Sequence, residues 1–322
     1  MRILIVRFSS IGDIVLTTPV IRCIKNQVEN AEIHYLTKGT FSQLLEPNPH
    51  IDKVHILKED FIGLVKDLKK EQFDLIIDLH NNLRTHRLSL LLSVPYKRVD
   101  KENGIKLRMV YLKDRKLRNK HIVDRYLATC TSLSVENDNT GLDYFFPEGF
   151  QFNDDLLPAS HRSNFICLAI GGQHATKQLP LARLHEICQM LTGPVIIIGG
   201  PEDRENGIEL AKKSGNVLNM AGETSIAESA WLIQQSHAII THDTGMMHIA
   251  AAMKKDIYSI WGNTVPEFGM TPYLPGANSM QFEKKGLRCR PCSKIGFDKC
   301  PKGHFKCMEE LDLVPLIDRL NG

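Results

Sequence analysis

The chain has 322 residues, 43% of them apolar and 24% charged, with a formal net charge of +3. That length exceeds one ordinary core and points to two domains, and the composition is that of a globular protein in water. So small a charge gives no ground for nucleic-acid binding, and no run approaches the roughly 18 apolar residues that cross a bilayer.

The apolar opening Ile3-Leu4-Ile5-Val6 is interrupted by Arg7 and followed by Gly12-Asp13. It reads as a first strand rather than an export signal, so the expected location is cytoplasmic. The turn after it, Arg7-Phe8-Ser9-Ser10-Ile11-Gly12-Asp13, lacks the G-x-G-x-x-G fingerprint, so no nicotinamide cofactor is expected. It sets Asp13 at the start of a helix, where a carboxylate either caps the helix or acts as a general base.

Strands are predicted at 2–7, 32–37, 53–57, 74–79 and 97–99, then at 165–170, 195–198, 217–219, 238–241 and 257–261. Several are unbroken apolar runs, as in parallel strands covered on both faces, and they alternate with helical stretches. This predicts an α/β protein with doubly wound parallel sheets. The series restarts after a polar stretch, 147–164, that contains Pro147, Gly149, Asn153-Asp154-Asp155 and Pro158. We place the linker there, with one domain over 1–155 and another over 156–322. The picture is two Rossmann-like domains facing one cleft, with ligands beyond the carboxyl ends of the strands.

Between Lys97 and Lys120 ten Lys or Arg residues, Arg98 and Arg118 among them, stand against Asp100, Glu102 and Asp114. Such a run is either a solvated surface or a face for an anionic partner such as a phosphorylated glycolipid or a membrane surface.

The second half opens with Gly171-Gly172-Gln173-His174-Ala175-Thr176-Lys177-Gln178-Leu179-Pro180, a glycine-rich loop with a lysine ahead of a helix. It is not a Walker A loop, yet Lys177 there is either a surface lysine or a counter-charge for phosphate. Gly199-Gly200-Pro201 precedes Glu202 and Glu205, which either complement a helix dipole or accept ribose hydroxyls. The run Asp243-Thr244-Gly245-Met246-Met247-His248 follows an apolar strand and opens a helix of small residues. There Thr244 can cap the helix, Gly245 admits a ligand to the backbone, and free N–H groups suit a diphosphate.

Four cysteines lie in apolar runs, Cys23, Cys130, Cys167 and Cys188, as core residues do. Cys289, Cys292, Cys300 and Cys307, with His304, leave structural zinc, reduced thiols and a disulfide all open. No D-x-D triplet occurs, which argues against a sugar nucleotide held through a divalent ion, and no H-E-x-x-H or G-x-S-x-G occurs.

Taken in order, these segments resemble one family. The opening 2–13, Lys177-x-x-Pro180, Asp243-Thr244-Gly245-x-x-His248, the stretch 121–126 and the ending from Cys289 to Met308 are similar to the ADP-heptose:lipopolysaccharide heptosyltransferases, glycosyltransferase family 9. Leu179 stands where that family carries Trp.

The resemblance implies a GT-B fold and an inverting, metal-independent transfer from a nucleotide sugar, with no cofactor. Asp13 would be the general base, with Ser10 and Gly12 beside it at the acceptor. Lys177, Thr176, Asp243, Thr244, Gly245 and Met246 would hold the donor diphosphate, with His248 either supporting that turn or packing below it. Glu202 or Glu205 would hold the ribose, and Thr224 would meet the base through its backbone. The anionic, lipid-linked inner-core acceptor at the cytoplasmic face of the inner membrane gives Lys97, Arg98, Arg118 and Lys120 a partner, with the enzyme peripheral there. A GT-B enzyme using another nucleotide sugar or glycan acceptor is the alternative. A non-catalytic, GT-B-like binding or zinc-organised assembly protein fits less well, because it has no use for Asp13 and Lys177.

Overall fold

The computed structural model describes residues 1–114, 117 and 119–322. The chain forms two compact units, Met1–Asn103 with Lys120–Phe150 and Gly104–Asn119 with Gln151–Gly322. Among the described residues no helix is long and apolar enough to cross a membrane.

The first unit is built on β1 (Arg2–Val6), β2 (Glu32–Thr37), β3 (Lys53–Ile56), β4 (Leu75–Asp78) and β5 (Tyr96–Arg98). They pair in the order β3-β2-β1-β4-β5, all parallel. Helices α1 (Ile11–Val15), α2 (Thr18–Gln27), α3 (Phe61–Lys70) and α4 (Leu83–Leu92) connect them. Ile3, Leu4, Ile5 and Val6 are all fully buried, because a central parallel strand is covered on both faces. Each such side chain contributes about 1.5–3 kcal/mol on leaving water. Helix α3 starts where Asp60 accepts from the Gly63 N–H at 2.9 Å and buries Leu64, Val65 and Leu68 on one side.

Two short helices follow, α5 (Asn103–Tyr111) and α6 (Ile122–Leu127). Met109 and Val110 of α5 pack in one buried cluster with Val265 and Phe268, and the Asn119 N–H reaches the Glu267 carbonyl at 3.0 Å. That packing is why residues 104–119 belong with the second unit, whereas a single division after residue 155 would leave them with the first.

The second unit carries β6 (Ile166–Ala169), β7 (Val195–Ile198), β8 (Val217–Asn219), β9 (Ala238–His242), β10 (Asp256–Trp261) and β11 (Met280–Glu283). The order is β11-β10-β9-β6-β7-β8, again parallel throughout. Helices α7 (Leu181–Met190), α8 (Arg204–Lys213), α9 (Ile226–Gln235), α10 (Gly245–Ala252), α11 (Lys306–Glu309) and α12 (Val314–Asn321) complete it. Two doubly wound α/β sheets are thus present, as the strand pattern predicts. In each the chain reverses its direction of travel across the sheet at one place, between β1 and β4 and between β6 and β9. Ligand sites of open α/β sheets form at such switch points.

Candidate functional site

The turn after β1 leads straight into α1, and Asp13 lies in the first turn of that helix. Its carboxylate takes the Arg7 guanidinium at 2.6 Å and the Ser10 hydroxyl and N–H at 3.1 and 3.3 Å. Burial works to raise the Asp13 carboxyl, but the Arg7 charge and the Ser10 donors outweigh it and hold the group below the ordinary carboxylate range. The carboxylate is therefore ionised at neutral pH. Of the two sequence readings of Asp13, the capping one is realised, since its carboxylate reaches back to the Ser10 N–H at the N-cap. Arg7, not singled out in the sequence, is itself held by the Ser9 carbonyl at 2.7 Å and the Leu79 carbonyl at 2.8 Å. Ser10 is exposed and Gly12 buried.

Beside this turn opens a pocket of about 530 Å³ lined by Phe8, Ser9, Lys38, His80, Asn82, Leu83 and Arg84. Its residues follow β1, β2 and β4, so it occupies the first unit's switch point. Lys38 and Arg84 give it two exposed cations. His80 stacks near Phe8, with ring centroids 4.8 Å apart, and burial pushes its imidazole down to about 4, so the ring is neutral at pH 7. The sequence reading missed these residues. Their signal was position, as polar groups directly after the carboxyl ends of strands.

The basic run does not behave as one surface. Lys97 and Lys120 are exposed. Arg98 donates to Asp78 at 2.7 Å, where a carboxylate with no exposure at the end of β4 requires a counter-charge. Lys113 donates to the Cys289 and Pro291 carbonyls at 3.1 and 2.8 Å. Arg118 lies outside the described residues.

In the second unit the loops after β6 and β9 meet. Lys177 Nζ donates to Asp243 Oδ2 at 2.6 Å and to the Asp243 carbonyl at 3.3 Å. Asp243 also accepts from Thr264 Oγ1 at 3.0 Å. The fully buried Arg290 fixes the Thr264 segment by donating to the carbonyls of Trp261 and Thr264 at 3.1 and 2.9 Å. The lysine is thus aimed by a chain of partners, Arg290 to Thr264 to Asp243.

Thr244 occupies the N-cap position of α10, but its side chain makes no capping bond and its hydroxyl lies 3.4 Å from that of Thr241. The first-turn N–H groups of Gly245, Met246 and Met247 are therefore not taken by the cap side chain, at the positive end of the helix dipole. His248 is buried in the same helix. His242, also buried, accepts the Leu179 N–H on Nε2 at 2.9 Å and so ties β9 to the lysine loop.

The remaining expected donor residues divide. Thr176 is buried with its hydroxyl bonded to the Phe297 carbonyl at 3.0 Å. Glu202 and Glu205 are exposed, while Asp203 between them is buried and accepts the Gly200 N–H at 2.9 Å. A Cβ at Gly171 or Gly199 would come within 2.3 or 2.8 Å of the Asp203 carboxylate, so glycine is required at both loops. The Thr224 hydroxyl bonds to Ser229 at 2.8 Å.

All eight cysteines carry free thiols. Cys289 Sγ lies 3.9 Å from His304 Nε2, yet no three ligand atoms of the C-terminal Cys/His group lie within 4.8 Å of one another.

Two doubly wound parallel-sheet domains are the architecture of GT-B glycosyltransferases. The family model for glycosyltransferase family 9 (heptosyltransferase) matches residues 62–297, and the chain belongs to that family. It is 24% identical over 356 residues to lipopolysaccharide heptosyltransferase 1 of Campylobacter coli, covering 100% of this chain and 99% of that one. Among solved structures, E. coli ADP-heptose LPS heptosyltransferase II aligns with a TM-score of 0.68 at 20% identity over the whole of both chains. E. coli heptosyltransferase WaaC with ADP-2-deoxy-2-fluoro heptose aligns at 0.67 and 20% identity, covering 87% of this chain and 92% of that one.

Proposed function

We propose that this glycosyltransferase moves a heptose from ADP-heptose to the inner core of lipopolysaccharide, inverting the anomeric carbon in one displacement. The relatives named for lipopolysaccharide heptosyl transfer and the solved neighbour that holds an ADP-heptose analogue support the substrate class. The observation that carries the mechanism is Asp13, an ionised carboxylate fixed at a switch-point turn by Arg7 and Ser10.

Asp13 takes the proton of the acceptor hydroxyl as its oxygen bonds to the anomeric carbon and the bond to the diphosphate breaks. Because Arg7 keeps the carboxylate weakly basic, proton transfer accompanies bond formation. Lys177 and the N–H groups at the start of α10 neutralise the charge that develops on the departing ADP. No D-x-D triplet is available to hold a divalent ion on the donor, so we assign the transfer to a metal-independent route. Glu202 or Glu205 is the ribose acceptor of hydrogen bonds, and Thr224 meets the base through its backbone.

Lys38 and Arg84 join Lys97 and Lys120 as cations for the carboxylates and phosphates of the acceptor, while Arg98, committed to Asp78, leaves that group. The exposed Tyr111 and Leu112 at the end of α5, near Lys106 and Arg108, support peripheral association with the inner membrane.

A donor screen that reads nucleoside diphosphate release tests this reading, with Asp13→Ala as control. Turnover with ADP-heptose that is lost in the variant is expected. Turnover only with another nucleotide sugar moves the enzyme to a different donor, the alternative that Leu179 in place of Trp keeps open.

A further inference from the structure

One polar cluster in the first unit takes no part in the chemistry above. His34 on β2 and His55 on β3 share a sheet face, since His34 pairs in register with Lys53, two residues before His55. Glu71, which caps the end of α3, reaches the same face. His34 Nδ1 lies 2.9 Å from His55 Nε2 and 4.0 Å from Glu71 Oε2, and the three ligand atoms lie within 4.8 Å of one another. No other such group of three exists among the described residues, and none of these residues lines the 530 Å³ pocket.

We propose that His34 Nδ1, His55 Nε2 and Glu71 Oε2 form a divalent transition-metal site, of the zinc class, that fastens the edge strand β3 and the end of α3 to β2. Tetrahedral zinc, with ligands at about 2.0–2.1 Å, sets them about 3.3 Å apart. The observed 2.9 and 4.0 Å straddle that value, so small side-chain rotations complete the set.

The surroundings are those of a ligand shell. His34 Nε2 contacts Glu32 Oε1 at 2.9 Å, and Glu32 is held by Arg2 at 2.8 Å, which orients the buried imidazole as carboxylate–histidine pairs do in zinc sites. The Glu71 carboxylate divides its oxygens, one taken by Lys53 at 2.5 Å and the other turned toward His34. Phe73 stands edge-on to both imidazoles, with centroids 5.2 and 6.2 Å away, and fixes their planes. Water takes the fourth position.

The site is read on the full chain by zinc titration calorimetry and by cobalt absorption, in a Cys289→Ser/Cys292→Ser background that removes the other group of soft ligands. One equivalent of zinc should bind and raise the thermal midpoint. Cobalt should give visible bands of nitrogen and oxygen ligands without thiolate charge transfer. His55→Ala and Glu71→Gln, both at partly exposed positions, should each weaken binding at least about tenfold with circular dichroism unchanged, and Glu32→Gln about tenfold. No zinc binding in the cysteine-substituted background, or binding that His55→Ala leaves intact, overturns the proposal.

Discussion

After β1, the first unit presents a carboxylate that bends back onto its own helix start, with Arg7 and Ser10 on either side. After β9, the second unit presents Thr244, which leaves its helix start uncapped, and after β6 a lysine steered by Asp243. Both turns stand at the switch point of a parallel sheet. Topology thus chooses the place, and one residue chooses the chemistry. The Asp13 side chain satisfies its helix N-terminus and leaves a fixed carboxylate there, whereas the Thr244 side chain makes no capping bond at its own.

The sharpest way to break this comparison is to remove the key side chain from each half. Asp13→Asn keeps the shape and loses the charge, so kcat should fall by about 10²–10⁴ while donor affinity holds. Steady-state kinetics with direct donor titration checks it, and equal losses in both would deny the division of labour. Lys177→Met should lower kcat/KM for the donor by about 10²–10³, because charge on the leaving diphosphate loses its nearest cation. Unchanged single-turnover rates would remove Lys177 from that role.

Acid distinguishes the halves in a second way. Burial drives His242 from its ordinary 6.5 to about 4, and the Gly171 carbonyl and Asp243 offset this only in part. The folded state keeps this ring neutral while the unfolded chain takes a proton near 6.5. Stability is therefore complete above that pH and declines as pH falls toward 4, by at most about 3 kcal/mol. The Asp13 pairing has the same sign in a lower window, being complete above the ordinary carboxylate value and lost as pH falls below it. His55 and His80 in the first unit shift the same way as His242, so a local probe is needed. Exchange of the Leu179 amide, corrected for its intrinsic rate, should accelerate between pH 6.5 and 4.5. A flat profile would show that His242 does not hold the lysine loop.

The smallest effect belongs to the pocket. Lys38→Glu or Arg84→Glu should raise acceptor KM by about tenfold, with donor KM unmoved, since exposed cations act through screened attraction. Were donor KM to move as well, the pocket would not be specific to the acceptor.

The sequence was most readable where burial is two-sided. Runs such as Val195-Ile196-Ile197-Ile198 have no other reading, and the paired sheets follow from them. Strand β11 escaped notice because Met280-Gln281-Phe282-Glu283 is a short edge strand with only Phe282 buried. The motif residues Asp13, Lys177 and Asp243 were visible because they lie in the turns that lead from apolar strands into the next helices. Their supports were not, since Arg7 acts through contacts with Leu79 and Asp13, and Arg290 through carbonyls 29 and 26 residues away. Arg98 shows the converse error, as a cation in a basic run can belong to one buried carboxylate.

The helix α5 has a practical consequence for taking this protein apart. The backbone passes from one unit to the other at 103/104, 119/120 and 150/151, so no single cut yields either unit whole. A fragment beginning at residue 151 would bare Val265 and Phe268, and a chimera joined there would inherit a foreign α5 against them. Exchange of the second unit between relatives should therefore transplant residues 104–119 together with 151–322, and fragments that omit the shorter piece should aggregate.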